Sequence, residues 1–181
     1  MTSATQNYDL KGIRIERIPS RDCVRRFKCG ETSIDKWVSD KAFKHHDQDR
    51  SRVFCALKGE STAALGFYAL SFSPILPTYL FGQHADRYQD GDAPFVYIEW
   101  LAVQRSIQSN GIGTVLLINA LQRAYSVSRN VAIYGVALRA LNDRTRAYYE
   151  GHGFVAREDS AFPLMILPIW TLRDLFEPRR G

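Results

Sequence analysis

The chain has 181 residues and a mass of 20.6 kDa, is 45% hydrophobic, 24% charged and 12% aromatic, and carries a formal charge of +5. That length supports one hydrophobic core and leaves no room for a second full domain, so residues 1–181 are expected to form a single domain, and the composition excludes collagen-like and disordered classes. No apolar run approaches the roughly 20 residues of a membrane helix, and the polar start MTSATQNYDLKG lacks the apolar stretch of a signal peptide, so a soluble, cytoplasmic protein with no membrane partner is expected.

Residues 13–18 (IRIERI) alternate apolar and polar at period two, the pattern of a half-buried strand. The positive charge concentrates just beyond: Lys and Arg outnumber Asp and Glu by 13 to 9 in residues 1–60, against 4 to 4 in 61–138 and 7 to 6 in 139–181. Arg21, Arg25, Arg26 and Lys28, followed by Lys36, Lys41 and Lys44, suit a polyanion such as RNA or form a solvated helix face. Thr32-x-x-Asp35 is a cap signal for a helix in which Ile34, Trp37, Val38 and Ala42 recur near helical spacing, ending in HHDQDRS. Residues 52–59 and 63–73 are β-rich and separated by a turn containing Gly59, which predicts a hairpin.

Residues 74–94 show no clean periodicity and are expected to form an excursion between strands, long enough to be functional or mobile. PFVYIEWLAV, 94–103, is a buried central strand with Glu99 as its one charge. Ile112, Val115, Leu116, Ala120 and Ala124 mark the apolar stripe of a helix over about 111–128. VAIYGVAL, 131–138, predicts a second buried strand. Asn142 can cap a short helix running through Tyr149, which GHG at 151–153 would stop. FPLMILPI reads as a last strand and TLRDLF as a final helical turn, giving a mixed α/β sheet flanked by helices.

The chemistry is concentrated in LAVQRSIQSNGIGT, a buried strand passing through a turn into a helix whose first turn is expected to be QSNGIG. Gly111 and Gly113 let the backbone approach a ligand, and unpaired amides at a helix start are donors for a phosphate or pyrophosphate. A triphosphate P-loop is excluded because only Thr114, with no lysine, follows the second glycine, and a dinucleotide fingerprint fails at Leu116. The histidines His45, His46, His84 and His152 lack ligand spacing, so no metal is expected. Cys23, Cys29 and Cys55 form no CxxC pair and read as small core residues in a reducing compartment.

Gln108, Gly111 and Gly113 match the acyl-CoA loop QxxGxG of the GNAT superfamily of N-acetyltransferases. Leu101, Ala102 and Val103 match the strand before that loop. Tyr149, Glu150, Gly153 and Phe154 match the later YExxGF element, with Asn142 at the usual asparagine between. The chain also resembles, in FKCGETSIDKWV, GFYALS and the closing TLRDL, the acetyltransferase toxins of bacterial toxin–antitoxin pairs.

The resemblance implies a GNAT fold and acetyl-CoA as cofactor, held by Leu101, Ala102, Val103, Gln108, Ser109, Asn110, Gly111, Ile112, Gly113 and Thr114 together with Asn142 and Tyr149. It further implies Tyr149 as the acid for the departing thiolate, an aminoacyl-tRNA whose phosphates would meet the basic residues named above, a homodimer, and a ribbon-helix-helix antitoxin. The sequence departs from those toxins in having Gln108 where they have Arg, and Glu99-Trp100 in place of the Gly-Arg that precedes their LAV strand. Glu99 is either a general base, as on this strand in many small-molecule and protein acetyltransferases, or a structural carboxylate. A small-molecule or protein amine acetyltransferase, and a non-catalytic acyl-CoA-binding module, are the alternative functions.

Overall fold

The computed structural model describes residues 9–177, so the polar start of the chain lies, through residue 8, outside the described residues. Seven strands, β1 (Ile13–Arg17), β2 (Arg52–Lys58), β3 (Gly66–Ile75), β4 (Ala93–Val103), β5 (Gly135–Arg139), β6 (Val155–Ala156) and β7 (Leu164–Pro168), form one sheet in the order β1-β2-β3-β4-β5-β7-β6. The β4–β5 pair is parallel; β1–β2, β2–β3, β5–β7 and β6–β7 are antiparallel. Five helices accompany them: α1 (Thr32–Asp40), α2 (Ala42–Asp47), α3 (Ile112–Ser128), α4 (Asp143–Glu150) and α5 (Ile169–Phe176). The expected mixed α/β class is observed, and no described helix is long and apolar enough to cross a membrane. The chain divides into two units, Met1–Leu70 with Trp100–Asn119 and Ser71–Glu99 with Ala120–Gly181.

In the first unit, the period-two pattern of β1 and the hairpin of β2 and β3 appear where the sequence places them. Trp37 and Val38 of α1 are buried, with Trp37 stacked on Phe67 of β3 at 6.1 Å and Phe27 edge-on to the same ring at 5.2 Å. The helix start differs from the capping box expected. Thr32 is already helical, the cap position falls on Glu31, and Asp35 instead accepts the Cys29 N–H at 2.7 Å. At the carboxyl end of α2, His46 Nδ1 accepts the Val53 N–H of β2 at 3.0 Å, so that nitrogen carries no proton. Burial chiefly lowers its pKa, with Arg52 and Arg17 adding and Asp47 and Asp49 opposing. Gly66 is needed for packing: a Cβ there would lie 2.8 Å from the Ala102 carbonyl oxygen and 2.7 Å from Leu116 Cδ1. Only a residue without a side chain lets β3, the β4 backbone and α3 approach this closely.

In the second unit, the excursion after β3 is built rather than loose. It contains two 3-10 helices, Pro77–Tyr79 and Gly82–Tyr88, and its residues Leu80, Phe81, Ala85 and Tyr88 pack against Phe95, Tyr134, Leu164 and Ile166. Arg157 donates to the carbonyls of Tyr79 (2.7 Å) and Leu80 (2.8 Å) and lies over the Phe81 ring, while the Phe81 N–H donates to the Tyr134 hydroxyl at 3.1 Å. The strand expected at 131–138 begins only at Gly135. Asn130 and Val131 N–H still bond back to Val127 at the end of α3, leaving Val131 60% exposed, and the Tyr134 N–H goes to the Pro94 carbonyl. The closing helical turn is longer than expected, eight residues of α5.

Candidate active site

The loop after β4 is held by hydrogen bonds local to the first unit. Gln104 N–H donates to the Leu65 carbonyl (2.8 Å) while its side-chain oxygen accepts the Lys28 N–H (2.9 Å), and the Arg105 N–H donates back to the Lys28 carbonyl (2.8 Å). Arg105–Ile107 form one 3-10 turn; Gln108 is extended, Ser109 has φ 64 and Gly111 φ 84, and α3 starts at Ile112. The sequence expectation that QSNGIG is the first helical turn is therefore corrected: Gln108 to Gly111 are the approach to the helix, and Ile112, Gly113 and Thr114 its first turn. Two residues of positive φ stand just before the helix, and the first amides of this 17-residue helix have no partner four residues back. Ser109, Gly111 and Thr114 are exposed, and the helix start they flank is the positive end of the helix dipole. The residues present fit a pyrophosphate.

Gln108 and Asn110, expected to contact cofactor, have their side-chain amides occupied. Gln108 Nε2 donates to the Cys29 (2.8 Å) and Val103 (3.1 Å) carbonyls, and Asn110 Nδ2 to those of Ile107 and Gln108, both at 3.1 Å. These side-chain NH2 groups fix the loop. Sequence reasoning missed that Phe27-Lys28-Cys29-Gly30 is the other half of this scaffold. The only signal was that FKCG and Asp35 recur in the resemblance, with no periodicity to say why. Burial pushes the Cys29 thiol up to about 11, so it is an uncharged packing group; Cys23 and Cys55 are also free and buried.

Leu101, Ala102 and Val103 lie on β4 as expected. Pairing of β4 with β5 joins Phe95, Val96 and Tyr97 to Gly135, Val136 and Ala137 and extends no further among the described residues, although β4 continues to Val103. A strand edge left without its neighbour offers main-chain groups to an extended ligand. The basic residues Arg21, Arg25, Arg26, Lys28, Lys36, Lys41 and Lys44 are all exposed, and the one ion pair among them, Arg25 with Asp22 at 3.9 Å, is itself exposed.

In the second unit, Asn142 caps α4 with its side chain. Its oxygen accepts the Thr145 N–H (2.9 Å), and the Thr145 hydroxyl accepts the Asn142 and Leu141 N–H groups. This expected cap is present, and it commits the Asn142 oxygen to the helix. Tyr149 is 7% exposed and edge-on to Tyr148 (5.2 Å) and Phe154 (5.6 Å). Burial, and then Tyr148, push its phenol well above the usual tyrosine range, which keeps it protonated. Its hydroxyl has no hydrogen-bond partner among the described residues and is not one of the enclosed, unsatisfied atoms there, so a buried ring presents an accessible O–H. Tyr148 instead packs on His152 at 4.5 Å, and His152 Nδ1 bonds the Tyr148 carbonyl. Gly153, at φ +87, turns the chain out of the helix so that Phe154 is buried. Glu99 is half-buried on β4 and, together with Glu158, adds to the effect of burial in raising the Tyr97 pKa, which Arg139 opposes.

The model of the acetyltransferase (GNAT) family matches residues 22–154. A tRNA-acetylating toxin of Mycobacterium tuberculosis (strain ATCC 25618 / H37Rv) is 29% identical over 157 residues, 83% of this chain and 89% of its own. Among solved structures, a Tyr-to-Phe mutant of KacT is 26% identical with a TM-score of 0.84, over 92% of this chain and 100% of that one. AtaT complexed with acetyl-methionyl-tRNAfMet is 24% identical, with a TM-score of 0.81 over 91% and 99%, a likeness of fold. The QxxGxG loop, the LAV strand and the YEGHGF helix end fall within one family match spanning well over half of the sequence, and the chain belongs to the GNAT family as an acetyl-CoA-dependent N-acetyltransferase.

Proposed function

We propose that this enzyme acetylates the α-amino group of aminoacyl-tRNA and so blocks translation. The observation that carries it is the joint at Lys28. The residue closing the exposed basic cluster Arg21, Arg25, Arg26 and Lys28 is bonded through its backbone to Gln104 and Arg105 of the loop before α3, which supports a polyanionic acceptor bound next to the acetyl donor. Likeness over 83% of the chain to a protein named for acetylating tRNA supports the same acceptor.

Acetyl-CoA supplies the activated acetyl group as a thioester. The amides from Ser109 to Thr114 bind its pyrophosphate, and the backbone of Leu101, Ala102 and Val103 aligns the pantetheine arm. Tyr149, protonated because it is buried, would give its O–H proton to the thiolate as the C–S bond breaks, and the proton shed by the amine as the C–N bond forms would restore the phenol. An amine attacks directly, so no residue of the chain serves as nucleophile; orientation is the enzyme's main contribution. The same reading has residues 1–181 acting as one cytoplasmic domain, as a homodimer, inhibited by a ribbon-helix-helix antitoxin.

The test is acetylation of charged tRNA against salt. Arg25→Ala with Arg26→Ala is expected to raise the KM for charged tRNA and flatten its salt dependence, whose logarithmic slope falls by about 0.7 to 0.9 for each phosphate no longer neutralised, with acetyl-CoA binding unchanged. Unchanged salt dependence means the patch is only a solvated face. Glu99 favours the second reading, a small-molecule or protein amine acceptor. Glu99→Gln separates them: a strongly basic lysine amine needs a base, whereas the less basic α-amine of an aminoacyl ester does not. If Tyr149→Phe and wild type alike bind acetyl-CoA and acetylate no amine, the chain is a non-catalytic acyl-CoA module.

A further inference from the structure

Trp100 is one of the residues at which the sequence departs from the toxins it resembles. It is half-buried on β4, and its one ring partner among the described residues is Trp37 of α1, at 5.6 Å and a tilt of 36°. Trp37 is 9% exposed, backed by Phe67 at 6.1 Å and edged by His45 at 5.6 Å. Neither indole N–H has an acceptor among the described residues, and neither nitrogen is one of the enclosed unsatisfied atoms, so both reach solvent as free donors. A buried tryptophan N–H ordinarily finds a partner inside the protein. Here a nine-tenths buried ring, and a second one set beside it, keep theirs for something else.

The surroundings narrow the ligand. Lys36 precedes Trp37 on α1 and Lys41 follows the end of that helix, its N–H bonding the Trp37 carbonyl; both lysines are exposed. Cations beside an aromatic shelf are the arrangement that holds single-stranded nucleic acid, the cations on phosphates and the rings under bases. A nucleobase also carries ring nitrogens that accept hydrogen bonds, which an aliphatic amine does not.

We infer that the Trp37–Trp100 pair seats the terminal nucleobase of the acceptor, the base stacking on Trp100 and taking a hydrogen bond from an indole N–H. This rests on the aminoacyl-tRNA reading and adds to it a site for the 3′-terminal ring, distinct from phosphate contacts.

The test uses two small acceptors: 3′-aminoacyl adenosine carrying the amino acid that the wild type acetylates on tRNA, and the methyl ester of that amino acid. The wild type is expected to use the adenosine compound with a kcat/KM at least about fivefold higher, the lower end of what base stacking on one aromatic ring gives. Trp100→Leu is expected to remove that advantage by raising the KM for the adenosine compound at least about fivefold, with the methyl ester and acetyl-CoA changed less than about twofold. Trp100→Phe, which keeps the ring and deletes the N–H, is expected to lose about threefold on the adenosine compound alone. Equal wild-type efficiency on the two acceptors overturns the inference without any variant, as does a Trp100→Leu or Trp100→Phe loss of the same size on both. If the wild type acetylates neither charged tRNA nor either compound, the acceptor reading fails and this inference with it.

Discussion

The cofactor loop in the first unit and the tyrosine helix in the second are fixed by different forces. From Gln104 to Asn110 the loop is held by polar bonds to backbone atoms, with Lys28 and Cys29 as its main outside partners. Tyr149 is held by ring edges and by a helix whose start is capped by Asn142 with Thr145. Hydrogen bonds are directional and set where several amides point at once, whereas aromatic packing sets where a ring sits and leaves its hydroxyl exposed. Damage to the loop is therefore expected to appear as weaker cofactor affinity, and damage at Tyr149 as slower turnover.

The sharpest way to break the loop is Gly111→Val. A branched side chain at φ 84 is strained, by at least the roughly 1–2 kcal/mol of an ordinary residue there, and its Cβ would come 3.3 Å from Leu10 Cδ1. Calorimetry is expected to show acetyl-CoA affinity reduced about a hundredfold or more, with the far-UV spectrum retained. Tyr149→Phe is the counterpart in the other unit: kcat down by roughly two orders of magnitude, the low end for losing a general acid, and acetyl-CoA Kd within about twofold. Its pH profile adds a sign. Because burial raises the Tyr149 pKa, the acid form persists as pH rises, and the kcat of the wild type is expected to show no Tyr149-dependent alkaline decline below about pH 10. A limb near pH 8 that vanished in Tyr149→Phe would contradict this assignment.

A smaller effect is expected from Asp35→Ala, which strips the acceptor from the Cys29 N–H, two bonds away from Gln108. The loss of a charged hydrogen bond predicts about 2 kcal/mol lower stability by urea unfolding, and the loosened Cys29 carbonyl predicts acetyl-CoA binding weakened several-fold. Asp35→Asn, which keeps an acceptor, is expected to recover most of both. Thr145→Val is the mildest. It removes one side of the α4 cap, about 1 kcal/mol, and a lower Tm with unchanged acetyl-CoA Kd is the expected result. A weakened Kd there would erase the contrast between the two regions.

Where side chains repeat along one element, the sequence was sufficient. The stripe of α3, the alternation of β1 and the Asn142 cap each depend on residues a few positions apart, and each stands where expected. The turn leading into α3 was legible in part for the same reason, its two glycines lying close together, although Gln108 to Gly111 stand before the helix and not in its first turn. What failed involves partners far along the chain. Asp35 has the spacing of a capping box with Thr32, but the Cys29 N–H takes its carboxylate, and nothing in the local pattern distinguishes the two bonds. The scaffold between Cys29 and Gln108 spans 79 positions and is made largely with main-chain carbonyls, which every residue possesses. Residues 131–134 are apolar enough for a strand, yet the tail of α3 keeps the first of them, and β6 is too short to leave a periodic trace.

The bond between His46 and Val53 makes the junction of α2 with β2 responsive to acid. The ring nitrogen that accepts the Val53 N–H must stay bare, and a folded pKa held below the ordinary histidine value means that this fastening is complete above about pH 6.5 and is released as pH falls through the folded value. Acidification then loosens the helix bearing Lys44 while leaving α3 and its amides untouched, so the first event in acid titration is expected to be fraying at residues 42–53, visible as faster amide exchange at Val53 well before global unfolding.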